Sequence, residues 1–360
     1  MSQTNLLGHL KTYGNPIIDD DLATFVWLGD THPYLIGEFN NWGWTPTGER
    51  VPAAMTEVEK GVWVHTTRLP RDAYIEYYWS IDLTEDDQRA PDPHNRHKIT
   101  NGMGKFNYYF AMPDWQPTPL TRVAKGVPRG KVSHFDLKKV AADFYLPKRD
   151  VWLYAPPTDA AVPLLVVWDG RDYLRRAKIT EIVDNLIHQG KMQPIAIAMI
   201  ENAREYRMVE YMNGEMAVLM AGQYVLPLAQ QELNLLDIDQ HPGSYGVVGA
   251  SMGGLMAMYT ARRLPQIFGR VISQSGAFLF EVRPGQDDLF KFLVKTQPPL
   301  GAKIWQDVGR FEWLLETNRQ TNALLKERGY DVTYHEYQGG HNYTSWRNVL
   351  PQALMTVFGV

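Results

Sequence analysis

Hydrophobic and polar positions follow two different rhythms along this chain. From about residue 22 to 113, short β-prone runs (ATFVW at 23–27, YLI at 34–36, GVWVHT at 61–66, YIEYYW at 74–79) are separated by Gly, Pro, Asn and Asp. That spacing predicts an all-β sandwich. The next stretch, to residue 130, is rich in Pro and Gly and has no apolar periodicity, so it supports neither strand nor helix. The pattern predicts a β-sandwich domain over 1–113, a linker over 114–130 and a larger domain over 131–360.

In the larger domain the texture alternates. Strand candidates at 131–135, 151–154, 164–168, 195–200, 245–248, 270–273, 303–305 and 332–337 are mostly interleaved with helical candidates at 180–191, 217–233, 254–263, 312–328 and 345–358. Alternation of this kind predicts an α/β fold, a mainly parallel sheet with crossover helices on both faces. The 360 residues suit two domains, and 44% hydrophobic with 21% charged residues is the balance of a globular protein. A net charge of -4 gives no general field for nucleic acid or an anionic membrane. The absence of cysteine excludes disulfides, thiolate metal sites and a cysteine nucleophile. The first twenty residues lack a basic segment followed by an apolar one, and no run reaches the length of a membrane span. The expectation is a soluble cytoplasmic protein acting on a small molecule.

The most informative stretch is YGVVGASMGGL at 245–255, an apolar run that ends in a small-residue turn and leads directly into a helical segment. Such a turn presents a strained serine, Ser251, above a sheet as a nucleophile. Serine needs a base, and a carboxylate usually fixes that base's tautomer. In α/β-hydrolases the chain order is serine, acid, histidine. His335 and His341 both follow Ser251. His335 lies inside the last strand candidate, whereas His341 follows a Gly-Gly pair and precedes the final helix, which makes His341 the candidate base. For the acid, Glu281, Asp287, Asp288, Asp307, Glu312 and Glu316 lie between them, and Asp307 and Glu312 both fit the turn after the strand at 303–305. Glu312 at the start of its helix could equally serve the helix dipole. The oxyanion of acyl transfer requires backbone N–H donors; Met252 and either Gly170 or Arg171, in the WDGRD segment at 168–172, are the candidates.

Together, GASMGG at 249–254, FGRVISQSG at 268–276, Asp169-Gly170 and GGHNYTSW at 339–346 resemble the enterochelin esterase family, α/β-hydrolases that open the ester bonds of catecholate siderophores. APDPHN at 90–95 and MPDW at 112–115 are similar to the joint that follows that family's N-terminal sandwich, so the resemblance covers most of the chain. It implies a serine esterase with Ser251 and His341 and, through GRFE at 309–312, favours Glu312 as the acid. Trp346, at the end of the 339–346 segment, is a candidate substrate contact. Relatives with the same core hydrolyse feruloyl and acetyl esters, so a carbohydrate-linked esterase is the second expectation and a non-catalytic binding protein of hydrolase fold the third.

Three smaller groups bear on ligands. GEFNNWGW at 37–44 resembles the signature of early-set sandwich modules, and Trp42, Trp44 or Trp63 could stack on rings or fill the core. Arg204 and Arg207, with Arg171 and Arg310, could meet an anionic substrate or make surface ion pairs. His94 and His97 lack an evident third and fourth ligand. No metal site and no organic cofactor are expected; iron would arrive chelated in the substrate.

Overall fold

The computed structural model describes residues 3–45, 47–83, 88–102, 104–137, 149–212, 214–279 and 288–360. The chain divides into two compact units: Met1–Pro117 with Gly309–Trp313 and Tyr337–Ser345, and Thr118–Val308 with Leu314–Glu336 and Trp346–Val360. The first division follows Pro117. The two later segments of the first unit lie around the ends of strands and at the start of the last helix, and no hydrophobic rhythm reveals their membership.

In the first unit, helix α1 (Gln3–Tyr13) precedes two antiparallel sheets. One contains β1 (Ile17–Asp19), β2 (Leu22–Leu28), β4 (Thr56–Glu59) and β5 (Val62–Arg68) in the order β1-β2-β5-β4. The other contains β3 (Tyr34–Gly37), β6 (Tyr74–Ser80), β8 (Lys98–Thr100) and β9 (Phe106–Ala111) in the order β3-β6-β9-β8, with β7 (Arg89–Ala90) against β6. Alternate residues of β2 and β6 turn inward, so Phe25 meets Tyr77, Trp79 and Phe110 at ring separations of 5.1, 6.4 and 5.5 Å. Burying Asp92 in this aromatic core would be costly without partners. Its carboxylate accepts from Asn15 Nδ2, Tyr77 Oη, Trp79 Nε1 and the His94 N–H, which explains the APDPHN segment structurally. Trp42 stacks on Tyr78 at 5.9 Å, Trp63 donates to Gly29 O, and Trp44 is exposed beneath the Arg50 guanidinium. The core is made by other aromatics.

The second unit is built on a sheet with β10 (Lys131–Leu137), β11 (Arg149–Ala155), β12 (Leu164–Val167), β13 (Ala196–Ile200), β14 (Tyr245–Ala250), β15 (Phe268–Gln274), β16 (Lys303–Gly309) and β17 (Asp331–Tyr337). Their order is β10-β11-β13-β12-β14-β15-β16-β17. β10 and β11 pair antiparallel, as do β11 and β13, while β12 with β13 and with β14, β14 with β15, and β15 with β16 are parallel. LLVV in β12 and AIAMI in β13 are wholly buried, as the continuous apolar runs of parallel strands require.

The helices include α2 (Ile179–His188), α3 (Arg207–Tyr211), α4 (Glu215–Met220), α5 (Leu226–Glu232), α6 (Met252–Arg263), α7 (Leu289–Thr296), α8 (Leu315–Glu327) and α9 (Tyr343–Phe358). The helix expected over 217–233 is α4 and α5 joined by a π turn at Ala221–Val225. Pro227 has no N–H for the carbonyl four residues earlier. The helix expected from 312 starts at Leu315, so Glu312 lies in the turn after β16 and not at a helix N-terminus. The fold is an α/β-hydrolase preceded by a β domain. Among the described residues no helix is long and apolar enough to cross a membrane.

Candidate active site

Ser251 sits between the last residue of β14 and the first of α6, with φ 59° and ψ -123°. A non-glycine residue there carries roughly 1–3 kcal/mol of strain, so its surroundings must hold it. The Ser251 N–H donates to Gln274 O at 2.8 Å, and Ser251 O accepts from the N–H groups of Gly254, Leu255 and Ala277. A Cβ on Gly249 would lie 2.9 Å from Gly253 Cα and closer still to its carbonyl. Only glycine fits before the turn. Met252 opens α6, and first-turn amides have no carbonyl partner within their own helix, which leaves the Met252 N–H suited to an anion.

The loop that carries the second pair of candidate donors follows β12. The Trp168 N–H donates to Val248 O at 2.9 Å, tying this loop to β14. Asp169 has φ 56° and begins the helical turn Gly170–Asp172, whose first amides belong to Gly170 and Arg171. A Cβ at Gly170 would be 2.7 Å from Met199 Cα and nearer to the adjoining peptide. Asp169 is buried, accepting from Asn202 Nδ2 at 2.7 Å and from Arg207 Nε and Nη2 at 2.6 Å each. Its N–H donates to Tyr211 Oη. The Asp169 carboxylate also lies against the α6 N-terminus, since a Cβ on Gly253 would be 2.9 Å from Asp169 Oδ2.

These contacts change the roles expected for the basic residues. The Arg207 guanidinium, expected to meet substrate, is engaged bidentately by Asp169 and reaches Ala250 O at 3.4 Å. It braces the donor loop. Arg171 and Arg204 approach Glu201 at 3.2 and 3.8 Å, and the Arg204 side chain is 74% exposed. Of Arg204 and Arg207, Arg204 is the one whose side chain faces solvent. Burial, with Asp150 opposing the two arginines, pushes the Glu201 carboxyl up. Trp346, also expected at the substrate, is 4% exposed; its Nε1–H donates to Ser275 Oγ and its carbonyl accepts from Gln274 Nε2. It supports the loop after β15 from within the core and presents no open face to a ligand.

The acid candidates separate by their partners. His341 Nδ1 lies 2.7 Å from Glu312 Oε2, whose other oxygen accepts from the Gly309 N–H and Tyr337 Oη. An imidazole nitrogen facing a carboxylate carries the proton, which makes Nε2 the basic nitrogen. The two side chains are 14% and 0% exposed, and the Trp313 ring lies 4.6 Å from the imidazole. Asp307 is fully buried, accepting from Trp305 Nε1 and Gln274 Nε2. Asp288 caps α7 through the Lys291 N–H, and Glu316 is exposed. Glu281 and Asp287 lie outside the described residues. His335 packs on Trp305 at 5.6 Å, and burial, with Glu336 opposing, lowers its pKa. Tyr337, Gln274 and Asn202 bond to the candidate carboxylates Glu312, Asp307 and Asp169, and no sequence pattern marks them, because each is defined only by a partner distant in the chain. Among the described residues no group of three or more His, Cys, Asp or Glu could hold a metal ion.

A family model described as "Putative esterase" matches residues 138–357. An iron(III) salmochelin esterase of Escherichia coli is 27% identical over 216 residues, 56% of this chain and 52% of the relative. An iron(III) enterobactin esterase of Dickeya dadantii is 28% identical over 222 residues, 56% and 50% of the two chains. This chain thus spans about half the length of the curated relatives it matches. The structure of the Shigella flexneri enterobactin esterase, determined in the presence of enterobactin, superposes with a TM-score of 0.74 at 20% identity over 94% of each chain, a likeness of fold. With the model covering well over half of the sequence, the chain belongs to this esterase family.

Proposed function

We propose that the protein is a serine esterase that cleaves carboxylic ester bonds of a catecholate siderophore through an acyl-enzyme. The observation that carries this reading is the strained Ser251 at the β14–α6 turn, followed in the chain by a carboxylate already bonded to a histidine. In this reading Ser251 Oγ attacks the ester carbonyl as His341 Nε2 takes its proton. Glu312 holds the imidazole tautomer and stabilises the imidazolium. The amides of Met252 and of Gly170 or Arg171 stabilise the oxyanion. The imidazolium then protonates the departing alkoxide, and a water activated by the same histidine releases the acid. The siderophore assignment is supported by what the curated relatives are named for.

The test is hydrolysis of ferric enterobactin followed by chromatography of the catecholate-serine products, with a feruloyl-sugar ester competing in the same reaction. Wild-type turnover of the catecholate, abolished by Ser251→Ala in a folded protein, is the expected result. Preference for the feruloyl ester would shift the substrate class to carbohydrate esters. A protein left unmodified by an organophosphonate, read by intact mass, would be a binding protein and not an esterase.

A further inference from the structure

Glu38 follows β3 in the first unit, is 1% exposed, and takes no part in the chemistry above. Its Oε2 accepts from the Glu76 N–H at 2.9 Å, and its Oε1 accepts from Asn342 Nδ2 at 2.7 Å. Asn342 is itself held: its Oδ1 accepts from the Ser345 N–H at 2.8 Å, which caps α9, and its N–H donates to Gly340 O. On the other side of His341, a Cβ on Gly340 would lie 2.6 Å from Glu38 Cγ and closer to the carboxyl carbon. The residues before and after His341 therefore both rest on one buried carboxyl group.

We propose that Glu38 is a positioning residue for His341, fixing the 340–342 loop through the Asn342 side chain and through direct packing on Gly340. The inference rests on reading His341 as the general base. Glu38 belongs to the GEFNNWGW segment that sequence reasoning linked to ring stacking. Its geometry gives that segment a different task, since the residue at its start faces the histidine loop. Burial first, and then Glu76, push the Glu38 carboxyl well above the usual range, so a neutral side chain of the same shape suits this position.

A donor–acceptor exchange tests the contact in the full chain. Asn342→Asp keeps the acceptor that caps α9 but sets a second carboxyl against Glu38; measured at a pH where both carboxyls are ionised, kcat should fall by about 10²-fold with KM within about twofold, as for a small misplacement of a catalytic group. Adding Glu38→Gln supplies a donor on the other side, while the amide oxygen still accepts from the Glu76 N–H. The double variant should recover to within roughly tenfold of wild type, a coupling that independent sites do not show. The downfield proton of His341 Nδ1, read by NMR, should broaden in Asn342→Asp and return in the double variant. Should Asn342→Asp alone not fold, a folded and active double variant carries the same support. A double variant no better than the single one, or Asn342→Asp with wild-type kcat and an intact proton signal, overturns the inference. His341→Ala retaining turnover would instead overturn the catalytic reading, so the two failures are distinct.

Discussion

Gly170→Ala tests the proposed second oxyanion donor. The added methyl would sit 2.7 Å from Met199 Cα and closer still to the peptide joining Met199 to Ile200, whereas ordinary contacts begin at 3.4 Å. These obstacles are backbone atoms of a wholly buried strand, so they cannot swing aside as a side chain would. The donor loop must retreat by about 1 Å, which lengthens a hydrogen bond of ordinary length beyond its useful range. Loss of one oxyanion donor lowers kcat by roughly 10²–10³-fold, about 2.7–4 kcal/mol. KM should change little, because the bond strengthens mainly as charge develops on the carbonyl oxygen. Overpacking should also lower stability by about 1–3 kcal/mol. Steady-state kinetics on an activated aryl ester gives the first quantity and a denaturant melt the second. A variant with the expected loss of stability but wild-type kcat would show that this loop moved without consequence, and the donor would have to be sought elsewhere.

Glu312→Gln should lower kcat by about 10⁴-fold while the protein stays folded, since the histidine tautomer is no longer enforced; Asp307→Asn should cost about 1–3 kcal/mol of stability and far less activity, as its carboxylate serves buried donors. Kinetics and urea melts on both variants decide the acid, and the reverse ranking would assign it to Asp307. Arg207→Ala leaves the buried Asp169 carboxylate without its bidentate partner and should destabilise by about 3–5 kcal/mol, less in Arg207→Ala with Asp169→Asn; equal stability of wild type and Arg207→Ala would refute the bracing role. For His335, burial, opposed by Glu336, lowers the folded-state pKa, so below its unfolded value of about 6.5 the unfolded chain binds more protons. Its contribution is complete above about pH 6.5 and declines as pH falls through the window down to the lowered folded value. His335→Gln should flatten that acid-side decline in melts taken at successive pH values, and parallel curves would refute it.

What was legible in the sequence was local. The run from Tyr245 to Gly254 encodes strand, turn and helix within a few residues, so Ser251 is a candidate nucleophile from sequence alone, and the two glycines before His341 make its loop the candidate base loop. Element types in the second unit also followed from periodicity, because buried parallel strands and amphipathic helices differ over short windows. The helix expected from 312 begins at Leu315, so Glu312 falls before it. In the fold, the bonds from the Gly309 N–H and Tyr337 Oη to its carboxylate belong to a turn.

Space and charge differ in how far they can be read. Gly170 and Gly249 are required by backbone atoms that a Cβ would strike, and a glycine beside a candidate nucleophile or donor loop already signals that crowding. A charged side chain carries no such mark. Arg207 could have faced an anionic substrate, but its partner is Asp169, 38 positions earlier in the chain. Asn342 likewise finds Glu38 across 304 positions. A buried carboxylate is therefore assigned by its donors. Asp307 is reached by an indole and an amide that have no proton to exchange at neutral pH, whereas Glu312 meets two fixed donors with one oxygen and an imidazole with the other. Of these two arrangements, only the second couples a carboxylate to a group whose charge can change during a reaction.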